Sequence, residues 1–155
     1  MRRALGSKLA DVSKLGAALA LVLVPRPALA QYVSASAPPM YGSVSVYGMT
    51  PASLSGVAGG PVSFGSVDSA CRGYGQMPPN HVVTTSGGTF RINANSSGDT
   101  TLMVMGPDGR RYCDDDGGGY PNPQVDLSVP AGPIAIWVGS YSSSGSHPYN
   151  ATVAP

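Results

Sequence analysis

Residues 124–141 read QVDLSVPAGPIAIWVGSY, and this stretch indicates the fold. In its first half Val125, Leu127 and Val129 alternate with polar residues, which is the period of a β-strand with one buried face. A second apolar row begins at Ile134, and the Pro-Ala-Gly segment between the two rows supplies turn residues. The stretch therefore predicts two short strands joined by a tight turn.

The same pattern extends in both directions along the chain. Short alternating runs begin about every ten residues, separated by segments rich in Gly, Pro, Asn, Asp and Ser, which is typical of a sandwich or barrel. One buried face and one wet face favour an all-β, antiparallel β-sandwich of about eight or nine strands. The predicted strands are 42–47, 61–67, 81–85, 88–94, 100–105, 110–112, 124–129, 133–141 and 148–154.

The first 30 residues have the pattern of a signal peptide. A basic start precedes the ten apolar residues 15–24, which are too few to span a bilayer, and Ala28-Leu29-Ala30 matches a cleavage site. The alternative is a leader that stays attached as a membrane anchor. The predicted organisation is a signal peptide at 1–30, a flexible tail or linker at 31–40 and one β-sandwich domain at 41–155.

Charge limits the partners of the mature chain. Removing the leader leaves four arginines and seven aspartates, with no lysine or glutamate, so the net charge is −3. Nucleic-acid binding needs clustered Lys and Arg, and an anionic membrane surface attracts the same residues. We therefore expect a secreted or periplasmic protein that binds no nucleic acid and is not inserted in a membrane after the signal is removed.

Both cysteines, Cys71 and Cys113, lie in the exported part of the chain. In an oxidising compartment, a pair of cysteines in one domain usually forms a disulfide, and we expect that bond here. The alternative is a reactive cysteine or half of a metal site, although neither residue has a His or a second Cys at ligand spacing.

A family resemblance rests on an ordered series of motifs within residues 99–141. The series is Asp99-Thr100-x-Leu102, Gly106-Pro107-Asp108-Gly109, Asp114–Asp116, Pro130-Ala131-Gly132 and Ile134-x-Ile136-Trp137-Val138-Gly139-x-Tyr141. It resembles the bacterial pre-peptidase C-terminal domain, and the resemblance extends loosely over residues 60–155. It implies a jelly-roll-like β-sandwich that binds or supports rather than catalyses, here as a stand-alone exported protein. The paired cysteines and the lack of a preceding protease depart from the family pattern.

Catalytic side chains are scarce. No serine occurs as G-x-S-x-G, and H-E-x-x-H and C-x-x-C are absent. Only His81 and His147 could act as a general base, and each is interpreted as a solvated residue at a loop edge. We therefore expect no enzymatic activity.

The sharpest local feature is the run Asp114, Asp115 and Asp116 before three glycines. Calcium takes six to eight oxygen ligands in permissive geometry, so these carboxylates could form part of a calcium site, which makes calcium the one candidate cofactor. Some pre-peptidase relatives bind calcium, but with acidic residues upstream of the first strand that this chain lacks. The alternative is a turn whose aspartates accept hydrogen bonds from local backbone amides.

Alternation places Trp137 and Tyr141 opposite the row that starts at Ile134. If that row faces the core, the two aromatic residues form an exposed platform that could stack on sugar rings or prolines. The alternative is that the N-terminal segment or a loop covers them.

These observations support a non-catalytic binding or accessory module whose partner is an unidentified protein or polysaccharide. One alternative is a structural envelope or matrix component that self-associates through its aromatic face. Another is a calcium-binding module.

Overall fold

The computed structural model describes residues 37–155, which form two packed β-sheets. The predicted signal peptide and residues 31–36 of the predicted tail lie outside the described residues. A 3-10 turn covers Phe64–Ser66. The strands are β1 (Ser43–Val46), β2 (Ala52–Ala58), β3 (Val62–Ser63), β4 (Tyr74–Gly75), β5 (His81–Thr85), β6 (Gly88–Ser96), β7 (Thr100–Met105), β8 (Arg111–Asp114), β9 (Gln124–Val129), β10 (Gly132–Ser140) and β11 (His147–Ala154).

The larger sheet has seven strands arranged around β10. Strand β10 pairs antiparallel with β7 along one edge and with β5 and β4 along the other. Strand β8 extends the sheet beyond β7, and β3 extends it beyond β4. Strand β1 joins β5 in parallel, with Ser43 opposite Val82. The smaller sheet is antiparallel throughout, in the order β2-β11-β6-β9.

The antiparallel β-sandwich expected from the sequence is confirmed, with two differences in detail. The described residues contain eleven strands where eight or nine were expected, because β2 and the two-residue β4 were not predicted. The pairing of β1 with β5 is parallel. Alternation nevertheless places the strands well, since β5, β7 and β9 begin and end at the predicted residues.

The main hydrophobic core fills the space between the sheets. The predicted rows of β9 and β10 both point into it, because Val125, Leu127 and Ile134 are buried there. Strand β11 adds Ala151 and Val153 from the middle of the smaller sheet. Alternation therefore identified the inner face of both sheets correctly.

A second apolar cluster covers the outer face of the larger sheet. It contains Phe64, Cys71, Met77, Met103, Met105, Ala135 and Trp137. Its cover comes from Phe64, Cys71 and Met77 of the segment 62–77, which pack against side chains of β7 and β10. Because both faces of these two strands are buried, every residue of β7 is inaccessible to solvent. The expectation of one wet face is wrong for this sheet.

The two long sides of the sandwich differ. On one side β8 and β9 are joined by the loop 115–123, and we call this the β8–β9 side. On the other side β1 and β2 are the terminal strands of their sheets, and we call this the β1–β2 side. Only a short turn at 47–51 connects β1 to β2.

Candidate functional site

The acidic run Asp114–Asp116 connects the two sheets at the β8–β9 side. One carboxylate oxygen of Asp114, Oδ2, accepts hydrogen bonds from the amides of Gly117 at 2.6 Å and Gln124 at 2.8 Å. Asp114 ends β8 and Gln124 begins β9, so this carboxylate fixes the edge of one sheet against the other. Asp114 thus has the capping role that was one of the two sequence interpretations.

The other two carboxylates of the run are less constrained. Partial desolvation, followed by repulsion from Asp115, Asp99 and Asp114, raises the pKa of Asp116. Within residues 37–155, no three His, Cys, Asp or Glu side chains are grouped so that they could hold a metal ion. Calcium binding at this turn stays a prediction.

The predicted disulfide between Cys71 and Cys113 is confirmed, with the two Cα atoms 5.2 Å apart. Cys113 lies on β8 and Cys71 lies in the segment that covers the outer face of the larger sheet. The bond therefore attaches this covering segment to the sheet beneath it.

Trp137 and Tyr141, predicted to form one exposed platform, lie in different environments. Trp137 is fully buried in the outer cluster, and its indole Nε1 donates a hydrogen bond to the carbonyl of Met77 at 2.9 Å. The interpretation of Trp137 as an exposed stacking surface is therefore wrong, because the segment 62–77 lies over it. Tyr141 follows the end of β10 and is 50% exposed.

Tyr141 borders a polar groove of about 290 Å³, which we call the Tyr141 groove. Besides Tyr141, a second tyrosine, an arginine, two serines and the disulfide-bonded Cys71 border it. The groove is lined by Ser63, Gly65, Ser69, Cys71, Arg72, Gly73, Tyr74 and Tyr141. Of the residues predicted for the platform, only Tyr141 contributes to it.

The floor of this groove is closely packed backbone. Gly73 has a φ of +88°, and a Cβ there would collide with Oγ1 of Thr101 and lie 2.8 Å from the carbonyl oxygen of Ser140. A Cβ at Gly139 would lie 2.5 Å from the Phe64 ring. The hydroxyl of Thr101 is buried beneath this floor without a hydrogen-bond partner. Gly139 does not border the groove but packs behind it, whereas Gly73 lines it and has room for glycine alone.

The two histidines lie in different settings. His81 begins β5 and is 2% exposed, so its interpretation as a solvated residue is wrong. Its Nε2 forms a 2.7 Å hydrogen bond with the hydroxyl of Tyr149 on β11, which links the two sheets across the interior. Burial lowers the pKa of His81 to about 4, so the ring is neutral near pH 7. Burial also raises the pKa of Tyr149. His147 is half-buried where β11 begins.

The side of the sandwich next to His81 was not predicted from the sequence. Tyr41 stacks at a tilt on the His81 ring, with centroids 5.8 Å apart, and lies between two concavities of about 360 and 200 Å³. The smaller concavity separates residues 41–44 from residues 53–55 of β2. Because β2 was not predicted, nothing in the sequence pattern indicated this opening.

Of the residues that the structure describes, none form a helix with the length and hydropathy needed to cross a membrane. No protein-family model matches the chain. An uncharacterized protein of Synechococcus elongatus is 34% identical to it over 113 residues, which cover 70% of this chain and 78% of the Synechococcus protein.

Among solved structures, the chain is similar to the pre-peptidase C-terminal domain of a Bacillus anthracis collagenase, with a TM-score of 0.43 and 12% sequence identity. The match covers 72% of this chain and 93% of the collagenase domain. The chain is also similar to PliG of Aeromonas hydrophila, a periplasmic inhibitor of g-type lysozyme, with 14% identity, coverage of 73% and 97%, and a TM-score of 0.39. The family that residues 99–141 resemble is thus among these neighbours. At these TM-scores the likeness transfers no function.

Proposed function

The chain belongs to the same family as the Synechococcus elongatus protein, and we propose that it is a secreted or periplasmic, non-catalytic module that binds an acidic polysaccharide. The observation that carries this proposal is the Tyr141 groove, which combines two tyrosines with an arginine and two serines. Aromatic rings stack on the apolar faces of sugars, while hydroxyl and guanidinium groups bind their oxygens.

Arg72 favours an acidic ligand over a neutral one. Two other arginines of the described chain have carboxylate partners, since Arg91 contacts Asp126 at 2.7 Å and Arg110 contacts Asp108 at 3.5 Å. Within residues 37–155, Arg72 and Arg111 have no such partner, and of these two Arg72 borders the groove, where it is exposed. A planar guanidinium matches the geometry of one carboxylate, so a single arginine can select one uronate unit, whereas the closely spaced phosphates of a nucleic acid need clustered cations.

The rigidity of the groove favours binding. The disulfide at Cys71 immediately precedes Arg72, and Gly73 is held against Thr101 by close packing. A ligand that enters such a groove orders few protein groups, so little of the contact energy is lost to conformational entropy.

The disulfide and the setting of His81 support the same proposal. A disulfide buried at Cys71 is typical of proteins in oxidising compartments. His81, the more buried of the two histidines, is hydrogen-bonded to the hydroxyl of Tyr149. Because the pKa of Tyr149 is raised, this hydroxyl is a poor nucleophile.

The proposal is tested by titrating the protein with alginate and polygalacturonate, with dextran as the neutral control. We expect binding to at least one acidic polymer, weakened by salt, and at least tenfold weaker binding for Tyr141→Ala and for Arg72→Gln. The matched controls are Tyr120→Ala, which removes a tyrosine that is 79% exposed elsewhere, and Arg110→Gln in the β7–β8 turn. Equal losses in the controls, or no binding to any of the polymers, would refute the proposal.

A further inference from the structure

Exposed apolar side chains concentrate on the β1–β2 side. Seven large apolar or aromatic residues of the described chain are exposed, and five of them lie on or beside β1 and β2. These five are Met40, Tyr41, Tyr47, Met49 and Val57. Met40, Tyr41 and Val57 border one concavity, and Tyr47 and Met49 lie in the turn 47–51 at the other end of β1. Exposed apolar groups concentrated on one side of a domain mark an interaction site more often than scattered residues do.

The same side carries no charge. Residues 37–67, which include β1 and β2, contain no Asp, Glu, Lys or Arg. The β8–β9 side is different, because Arg111 and Asp114 lie on β8 and Asp126 of β9 pairs with Arg91. Natural sheet edges are protected from pairing with other chains by charges, prolines or covering loops. The edge of β2 has none of these over residues 52–56.

The backbone of β2 presents unpaired groups at this edge. Val57 lies opposite Pro148, which has no amide hydrogen to donate. The carbonyl of Val57 instead accepts hydrogen bonds from the Asn80 side chain at 3.4 Å and from the Tyr41 hydroxyl at 3.5 Å. The Val57 carbonyl therefore points away from β11. Because backbone groups alternate in direction along a strand, the amides and carbonyls of Ser55 and Ser53 point outward as well. Within residues 37–155, no strand pairs with them.

We propose that two copies of this chain associate through the β1–β2 side, by antiparallel pairing of β2 with β2 of a second copy. The two-fold axis passes between Leu54 of one copy and Leu54 of the other, so Ser53 pairs with Ser55 of the second copy. The smaller sheets of the two copies then form one continuous sheet.

Charge favours a second copy over a partner of another kind. Around a two-fold axis, a charged residue near the axis meets its own like-charged copy, which is destabilising. A strand without charge avoids this repulsion, whereas a partner of opposite charge would require a charged counterpart on β2. Antiparallel pairing also places the turn with Tyr47 and Met49 near Val57 of the second copy. Exposed apolar side chains at the two ends of β2 would therefore contact each other across the interface.

The experiment measures association of the disulfide-bonded protein by sedimentation velocity from about 1 to 500 µM. We expect a monomer–dimer equilibrium, and a dissociation constant at least tenfold higher for Ser55→Lys, which places two ammonium groups near the axis. The matched control is Ser128→Lys on β9, an exposed serine at the opposite edge of the same sheet. It should associate as the unmodified protein does.

Hydrogen exchange supplies a readout that does not depend on a variant. The amides of Ser53 and Ser55 should exchange more slowly at high protein concentration, while the amide of Ser128 keeps its rate. A protein that stays monomeric at the highest concentration would overturn the proposal. The proposal would also be overturned if Ser55→Lys and Ser128→Lys weakened association equally, or if amide exchange at Ser53 and Ser55 did not depend on protein concentration.

Discussion

Acid should destabilise this protein through His81. The ring is buried between the sheets and hydrogen-bonded to Tyr149, with Tyr41 on its other side. Protonation would place a charge in this apolar setting. We therefore expect the free energy of unfolding to fall between pH 6.5 and pH 4, and the variant His81→Gln, which keeps a polar partner for Tyr149 but does not titrate, to lack this component.

The sign and size follow from the two pKa values of the His81 ring. Its pKa is about 4 in the folded protein and 6.5 in the unfolded chain. Between these values the unfolded chain binds a proton that the folded protein does not, so stability is full above pH 6.5 and decreases as the pH falls. A shift of this size corresponds to at most about 3 kcal/mol. The concavity beside His81 admits water that screens the charge, so we expect about 2 kcal/mol.

The assay is urea unfolding at pH 7 and pH 4, followed by the fluorescence of Trp137, which is the only tryptophan and is fully buried. The unmodified protein should lose about 2 kcal/mol more than His81→Gln over this interval, or roughly 8 °C in melting temperature. Comparing the two proteins removes the contribution of aspartates that titrate over the same range. If the two proteins lose equal stability, His81 does not carry the effect and its burial has been misjudged.

Other predictions concern the covering segment and the acidic turn. Changing Cys113 to Ala opens the loop closed with Cys71 and should cost about 4 kcal/mol in urea unfolding by the chain-entropy relation, whereas an unchanged midpoint would contradict it. Gly139→Ala should destabilise by about 2 kcal/mol or more because the added methyl collides with Phe64, and a stable variant would show that the Phe64 ring can move aside. Asp114→Ala should cost about 2 kcal/mol, since two backbone amides lose their acceptor. If the acidic run only caps the turn, tens of millimolar calcium should leave the melting temperature nearly unchanged. A rise above about 4 °C with calcium but not with magnesium would establish calcium binding there.

The inner faces of the strands were predictable because apolar and polar residues alternate clearly where one face meets solvent. Strand β9 shows this, since Val125 is buried and Asp126 is exposed. The same reasoning failed for Trp137 because the larger sheet is covered on both faces. Alternation assigns a residue to a face, but it does not show whether another segment lies over that face.

Strand β2 was missed for a different reason. Its sequence, ASLSGVA, has only Leu54 and Ala58 as buried residues, and serine and glycine at the other positions resemble a loop. The strand is formed by pairing with β11 at the far end of the chain, so its cause is not local. The disulfide was predictable from the number of cysteines and their place in the exported part, whereas the Tyr141 groove combines residues 63–74 with Tyr141, two parts of the chain that only the fold brings together.

The order of strands along the chain also determines when the protein can finish folding. Strand β2 has β11 as its neighbour in the smaller sheet, and nearly 90 residues separate the end of β2 at Ala58 from the start of β11 at His147. Strand β1 must likewise wait for β5, which begins at His81. Contacts so distant in sequence form slowly, because long loops close before any pairing compensates them. While the chain is synthesised or threaded through a pore from its N-terminus, β1 therefore has no partner until β5 emerges, and β2 has none until β11 emerges. A chain cut short before His147 would leave β2 permanently exposed, which makes truncated copies the form most prone to aggregate.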